Sequence, residues 1–113
     1  MKRVQRSRKK GWKMPPNTIY VGRPTIHGNP FTIGMLANFT ENASLSVRIK
    51  DRSQAVRLHR EMLLDIRTND PKYFEELIAP LRGKNLACWC KLSDECHADN
   101  WLELAGSHPQ EEG

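Results

Sequence analysis

The sequence predicts a small layered α/β domain with a short, mainly parallel sheet of three or four strands flanked by helices. Two short runs of β-branched, aromatic and apolar residues, at 18–21 and 85–90, are predicted strands. Three further segments have apolar residues at the three- and four-residue spacing of amphipathic helices. The order strand, helices, strand, helix implies a parallel pair joined by a right-handed crossover. A chain of 113 residues has room for one such domain, so we expect a single domain over 1–113.

The positive charge of the chain is concentrated in its first residues. The net charge is +5, and seven of the 18 Lys and Arg residues precede residue 14, with no acidic residue among them. We expect a basic N-terminal arm over 1–16 that attracts the phosphates of a nucleotide or a nucleic acid, with Arg8, Lys10 and Trp12 as binding residues. A solvated tail is the alternative, although Trp12 and the following prolines favour an arm that packs on the domain.

The first predicted strand, residues 18–21, is followed by a loop that holds two glycines and two prolines. Loops at strand ends are where α/β domains place ligands. In this loop Arg23 offers a fork of donors to a phosphate or carboxylate, and Asn29 can read a base edge or hold the loop backbone. The alternative is a tight turn without a ligand, which explains every residue except Arg23. Residues 31–39 are ambiguous, and 42–50 could hold a short strand or a loop.

Two helices are predicted in the middle of the chain. The first begins near Ser53 and the second begins at Asp70-Pro71, a pair that is typical of an N-cap and a first helical turn. Their inward apolar residues recur at helical spacing: Ala55, Val56, Leu58, Met62, Leu63 and Ile66 in the first, and Phe74, Leu77, Ile78 and Leu81 in the second. His59 and His108 are predicted to lie on the surface.

A final helix is predicted after the second strand, capped by Ser93 or Asp94 and ended by Gly106. Its expected core stripe is Ala98, Trp101, Leu102 and Ala105. The polar tail over 107–113 is predicted to be loose.

All three cysteines lie within nine residues of one another, which favours a metal or thiol site over a disulfide framework and agrees with a reducing compartment. Cys88 and Cys90 are two apart on a predicted strand, so their side chains share one face. Cys96 and His97 begin the next helix and return to the same end of the sheet. Four soft or borderline ligands can therefore converge, and such a set suits tetrahedral zinc: Cys88, Cys90, Cys96 and His97.

A catalytic site is the competing interpretation. A thiol in the first turn of a helix, beside an imidazole, is favoured as thiolate, so Cys96 could be a nucleophile near His97. Cys90 and Asp99 are further catalytic candidates, the latter as an acid or base or as a group that orients the histidine. The structural alternatives are a helix carboxylate near the N-terminus for Asp99 and a small buried hydrophobe for Cys88.

No apolar run approaches the ~20 residues that span a bilayer, and no apolar stretch follows the basic start of the chain. We therefore expect a cytoplasmic protein without membrane attachment. The sequence does not predict an oligomeric state.

Five short motifs resemble a family found in phage and bacterial genomes, the domain-of-unknown-function family 4326. They are Lys10-Gly11-Trp12, Tyr20-Val21-Gly22-Arg23-Pro24, Gly28-Asn29-Pro30-Phe31, Leu86-Ala87-Cys88-Trp89-Cys90 and Cys96-His97-Ala98-Asp99. The family usually has Trp where this chain has His27. The Cys-His element also resembles the Cys-His-Arg segment of another uncharacterised α/β family. The resemblance implies that the Arg23 loop and the Cys-His turn belong to one site.

Two functions from different classes stay open on this sequence. One is an enzyme that acts on a nucleotide, nucleoside or nucleic acid, in which Arg23 and the arm hold phosphate while the Cys/His residues perform the chemistry. The other is a zinc-stabilised module that binds nucleic acid without catalysis.

Overall fold

A computed structural model describes residues 1–37 and 47–106 of the protein. It contains five strands and three helices, with a short 3₁₀ turn after the second helix. In chain order these elements are β1 (Arg3–Gln5), β2 (Thr18–Tyr20), β3 (Leu36–Ala37), β4 (Val47–Arg48), α1 (Arg52–Asn69), α2 (Pro71–Ile78), the 3₁₀ turn (Ala79–Leu81), β5 (Asn85–Cys88) and α3 (His97–Gly106).

The main sheet consists of three parallel strands in the order β1, β5, β2. The last strand in sequence is therefore the central one, and its Leu86 and Ala87 are fully buried. Because β2 and β5 are parallel, the intervening helices form the crossover that the sequence predicts. The predicted small α/β domain with a mainly parallel sheet is confirmed, and β2 and β5 both end at the same edge of the sheet.

The strand at the N-terminus was not expected. Arg3–Gln5 pairs in register with Leu86–Cys88, so β1 and not the run at 18–21 is the first strand of the sheet. Pairing continues past β1, because the Arg6 N–H donates to the Cys88 carbonyl over 2.8 Å. The basic side chains hide this strand in the sequence, since charged residues are typical of solvated segments.

The helices begin where capping residues predict. Asp51 accepts a hydrogen bond from the Gln54 N–H at the start of α1, and Asp70 accepts one from the Tyr73 N–H at the start of α2. The predicted apolar residues of α2 and its 3₁₀ turn are all buried. The last helix differs: α3 begins at His97, so neither Ser93 nor Asp94 caps it. Of its predicted stripe, Leu102 is half-buried and the other three residues are buried.

The core lies between the sheet and the helices, around residues of the three helices, of β5 and of the end of β2. Val21 after β2, Leu63 of α1, Ile78 of α2, Leu86 of β5 and Trp101 of α3 are each at most 1% exposed. A smaller apolar cluster joins Ile49, Ala55 and Leu58 to Phe31.

In the ambiguous region after Phe31, Leu36–Ala37 forms β3, which pairs with β4 in a two-stranded antiparallel sheet. For 42–50, where a short strand and a loop both stayed open, a strand is present at Val47–Arg48, while residues 38–46 lie outside the described part of the chain. The tail predicted to be loose and His108 also lie outside it. None of the described helices combines the length and the hydrophobicity that crossing a membrane requires.

Candidate functional site

A cavity of about 440 Å³ opens at the edge where β2 and β5 end. Such a volume is within the range of small-molecule sites. The loop after β2 and the turn after β5 both line it, which confirms that the two predicted site segments meet. Its lining residues are Tyr20, Gly22, Arg23, Asn29, Phe31, Thr32, Ile33, Arg52, Ala55, Val56, Cys88, Trp89, Cys90 and His97.

A group of three possible metal ligands lies at the floor of this cavity. The ligand atoms of Cys88, Cys96 and His97 are all within 4.8 Å of one another, and all three residues are buried. Cys88 ends β5, whereas Cys96 and His97 form the start of α3, so the sheet edge and the helix start bring them together. The group is close enough to hold a metal ion, and two thiolates with one imidazole are a donor set that suits zinc.

His97 is oriented for this role by the backbone. Its Nε2 donates a hydrogen bond to the Val21 carbonyl over 2.7 Å, because a carbonyl can only accept. The neutral ring therefore has its lone pair on Nδ1, which lies 3.7 Å from Cys96 Sγ. A histidine that ligates a metal commonly donates its other N–H in this way. The Val21 carbonyl, and not Asp99, orients the ring.

His59 is buried behind His97, which corrects the surface position predicted for it. Its exposure is 0%, and its ring meets that of His97 edge-to-face with centroids 5.3 Å apart. Asn100 donates from Nδ2 to His59 Nδ1 over 3.0 Å, so the proton of the ring is on Nε2. Burial, together with the nearby His97, lowers the pKa of His59 to about 3. His59 is therefore neutral at any ordinary pH.

The predicted fourth ligand, Cys90, has a different environment from the other two cysteines. It follows the end of β5, where the strand was expected to continue, and it is half-buried. Its Sγ lies 3.7 Å from Cys88 Sγ and accepts a hydrogen bond from Arg52 Nη1 at 3.3 Å. Arg52 is the first residue of α1, and nothing in the sequence pattern marked it as part of the site.

In the absence of a metal, the pKa values of the cysteine thiols are shifted in different directions. Hydrogen bonds from the Cys90 and Cys96 thiols lower the pKa of Cys88. Hydrogen bonds with Cys88 and Cys90, together with burial, raise the pKa of Cys96, which is only 1% exposed. These directions favour the thiolate on Cys88 over the thiolate on Cys96, whose predicted role as a nucleophile stays a prediction.

The loop after β2 forms one wall of the cavity, and its polar side chains mostly hold the loop itself. Arg23 donates from Nε to the Asn29 carbonyl and from Nη2 to the Phe31 carbonyl, at 2.8 and 3.1 Å. Asn29 is buried; it donates to the Ala55 carbonyl and accepts from the Phe31 N–H. Of the two roles predicted for Asn29, the structure shows the one that supports the backbone.

Gly22 and His27 complete this loop. A side chain at Gly22 would collide with the ring of Tyr20, whose hydroxyl crosses over the glycine to donate to the Arg23 carbonyl over 2.6 Å. His27, which stands where the family usually has Trp, is buried and meets Trp101 edge-to-face with centroids 5.0 Å apart. It does not line the cavity.

Two aromatic rings that line the cavity, Tyr20 and Trp89, are supported by arginines of the N-terminal segment. The Arg6 guanidinium carbon lies 4.5 Å from the centre of the Tyr20 ring and 4.6 Å from that of Trp89, and Arg8 lies 4.7 Å from Trp89. Arg6 Nε is buried and has no acceptor among the described residues. Arg6 and Arg8 do not line the cavity themselves, so they position the rings that do.

Arg3 holds the connection between Cys90 and Cys96. Its guanidinium donates to the carbonyls of Lys91, Leu92 and Asp94 and pairs with Asp99 Oδ2 at 3.0 Å. Asp99 therefore faces Arg3 and is absent from the cavity lining, although it was a catalytic candidate.

The remaining predicted arm residues lie away from the cavity. Lys10 is exposed, and Trp12 is half-buried, with its backbone N–H donating to the Lys9 carbonyl over 3.0 Å. Their predicted contacts with a ligand stay predictions. The sequence analysis did not identify five residues that line or support the cavity: Arg3, Arg6, Arg52, Tyr20 and Trp89. The clustering of arginine and aromatic residues near both strands was the one feature of the sequence that could have indicated them.

Comparison with known proteins gives a family and no reaction. Residues 4–107 match the family described as "Domain of unknown function (DUF4326)", which confirms the resemblance, and the chain belongs to that family. No curated protein and no solved structure matches the chain.

Proposed function

We propose that this member of the DUF4326 family is an enzyme that binds a nucleotide or nucleoside in its cavity and acts on it with the Cys/His group at the cavity floor. One observation carries the proposal: the Cys88 and His97 side chains line the same cavity as two arginines and three aromatic rings. Reactive or metal-binding side chains at the bottom of a pocket with convergent polar groups are the usual arrangement of an active site.

The walls match the two parts of a nucleotide. Tyr20, Phe31 and Trp89 offer faces on which a planar base can stack. Arg23 and Arg52 bring positive charge to the same walls, and among the described residues that line the cavity there is no carboxylate to repel a phosphate. Two of the five Arg23 donors are used by the loop, so Arg52 is the better candidate for phosphate.

The residues at the cavity floor would perform the chemistry. The Cys/His group would hold zinc, which can polarise a bound oxygen or activate a nucleophile in a dry site. Cys90 stands beside the group and faces the cavity, where its Sγ accepts a hydrogen bond from Arg52.

Ligand binding tests this proposal directly. Tryptophan fluorescence or calorimetry would follow the addition of nucleoside, nucleoside monophosphate and inorganic phosphate. We expect the monophosphate to bind best and Arg52→Gln to weaken it by about tenfold, since a hydrogen bond to a charged group contributes about 1.5–3 kcal/mol. Arg57→Gln is the matched control, because Arg57 is exposed on the same helix and does not line the cavity.

Turnover is the second part of the test. Each ligand that binds would be incubated with zinc-loaded protein and the products separated by chromatography. Conversion that disappears in His97→Asn supports an enzyme. Binding of none of the three ligands would contradict the proposal.

A zinc-stabilised module that binds nucleic acid without catalysis is the second candidate. It is favoured by the exposed Lys9 and Lys10, which follow Arg8 and its stacked Trp89. If these lysines contact phosphates, affinity for single-stranded DNA or RNA will fall steeply with salt, and Lys9→Gln with Lys10→Gln will flatten the slope. Substitution is the right test, because a chain that starts at Met14 would lack β1.

A further inference from the structure

We infer that the metal centre has three protein ligands, Cys88, Cys96 and His97, and that its fourth coordination position opens into the cavity, where it takes an anionic oxygen or sulfur donor of the bound ligand. Cys90 stands outside the ligand set. This inference deepens the proposed function and rests on it for the identity of the donor, but the coordination itself can be tested without any nucleotide.

The direction of the open position follows from burial. Cys88 and His97 line the cavity, whereas Cys96 is 1% exposed and lies beneath them. An ion bound to all three atoms has ligands at its base and at two sides. The remaining tetrahedral position therefore points into the cavity and away from the core.

Cys90 is the residue that could close this position, and its contacts hold it elsewhere. The three-residue group with all ligand atoms within 4.8 Å does not include Cys90. Its Sγ lies 3.7 Å from Cys88 Sγ, and it accepts the hydrogen bond from Arg52 Nη1. Arg52 therefore holds Cys90 at the cavity wall, outside the group of three ligand atoms.

The number of protein ligands decides the role of the ion. Structural zinc sites use four protein ligands, whereas catalytic sites use three and leave the fourth position for water or substrate. A Cys₂His set with an open position is thus the arrangement of a reactive ion. The guanidinium groups of Arg23 and Arg52 in the walls favour a negatively charged donor at that position.

Cobalt is a suitable probe, because it takes the same ligands and its spectrum reports them. Metal-free full-length protein would be titrated with Co²⁺, followed by the thiolate-to-cobalt charge-transfer band. We expect one equivalent to bind to wild type and to Cys90→Ser with the same dissociation constant and the same band intensity. Cys88→Ser should weaken binding by more than about 100-fold, since loss of even an outer-shell partner costs up to that amount.

A second reading of the same samples tests the open position. Azide should shift the d–d bands of the cobalt protein, because it can enter a three-ligand site and cannot enter a closed one. A charge-transfer band that falls by about a third in Cys90→Ser, as expected for one thiolate of three in a closed site, would overturn the inference, as would bands that ignore azide or a protein that binds no cobalt.

Folding and ligand binding are controlled separately. Circular dichroism would verify each variant, and Cys90→Ser is the least disruptive because Cys90 is the half-buried cysteine. Nucleotide binding to metal-free protein would be measured by tryptophan fluorescence. A closed cobalt site in a protein that still binds nucleotide would overturn only the coordination inferred here, and an open cobalt site in a protein that binds no nucleotide would overturn only the proposed function.

Discussion

The loop at 22–31 and the turn at 88–97 meet at one edge of the sheet, but they use their polar side chains in opposite ways. In the loop, Arg23 and Asn29 bond to the backbone of the loop and of α1. In the turn, the two buried thiols and His97 Nδ1 face one another. Side chains that bond to the backbone shape a wall, whereas side chains whose donor atoms converge on one point offer a ligand site. Residue types alone could not make this distinction.

The largest change in stability should follow from loss of a metal ligand in the turn. Zinc at 100 times its dissociation constant should raise the free energy of unfolding of the wild type by about 2.7 kcal/mol. Cys88→Ser should abolish this increase, and Cys90→Ser should retain it. Denaturant unfolding with and without zinc measures both. An equal response of Cys88→Ser and wild type would show that the turn is not the metal site.

The next effect should come from the loop, and it should appear in stability. Asn29→Ala removes the partner of the Ala55 carbonyl and of the Phe31 N–H, so we expect about 2 kcal/mol lower free energy of unfolding. Asn69→Ala, at an exposed site at the end of α1, is the control and should cost little. If Asn29→Ala kept full stability and lost only ligand binding, the comparison between loop and turn would fail.

Acid should destabilise the packing behind the turn. In the folded protein the pKa of His59 is lowered from 6.5 to about 3. As the pH falls, His59 therefore takes up a proton in the unfolded chain at a higher pH than in the folded protein, which favours unfolding. This contribution to stability is complete above the unfolded pKa and is lost as the pH falls from about 6.5 toward 3, by up to about 1.4 kcal/mol per pH unit. Unfolding of chelator-treated wild type and His59→Leu across pH 4–7 measures the difference. If the free energy of unfolding of wild type and of His59→Leu changed equally with pH, the lowered pKa of His59 would be contradicted.

The smallest effect on ligand binding is expected for substitutions outside both the loop and the turn. Lys9→Gln with Lys10→Gln should leave binding of a nucleoside monophosphate unchanged, because neither lysine lines the cavity. Calorimetry on the double variant and on Arg52→Gln makes the comparison. A double variant that weakens the monophosphate as much as Arg52→Gln would extend the site to the N-terminal segment.

Much of this arrangement could be predicted from the sequence where local chemistry decides it. Asp70-Pro71 marks a helix start through its own cap, and the convergence of Cys88 with Cys96 and His97 follows from a strand end and a helix start. His59 could have been found, since it follows Ala55 by four residues and precedes Leu63 by four on the buried face of α1.

Other features depend on contacts distant in sequence. β1 owes its existence to pairing with β5, more than 80 residues away, and no local pattern in Arg3–Gln5 indicates it. The roles of Arg3 and Arg6 likewise depend on what β5 and its following turn place beside them. The run of basic residues predicts one arm, but Arg3–Gln5 within it is a strand of the sheet, and Arg8, Lys9 and Lys10 after the strand are exposed.

Whether loop and turn form one site is tested most directly by adding a nucleoside monophosphate to cobalt-loaded protein. The cavity joins the ion to the ligand walls, so we predict that the d–d bands shift on addition, with the same dissociation constant as the change in tryptophan fluorescence. Ligand binding that changes the fluorescence and leaves the cobalt spectrum untouched would contradict a single site.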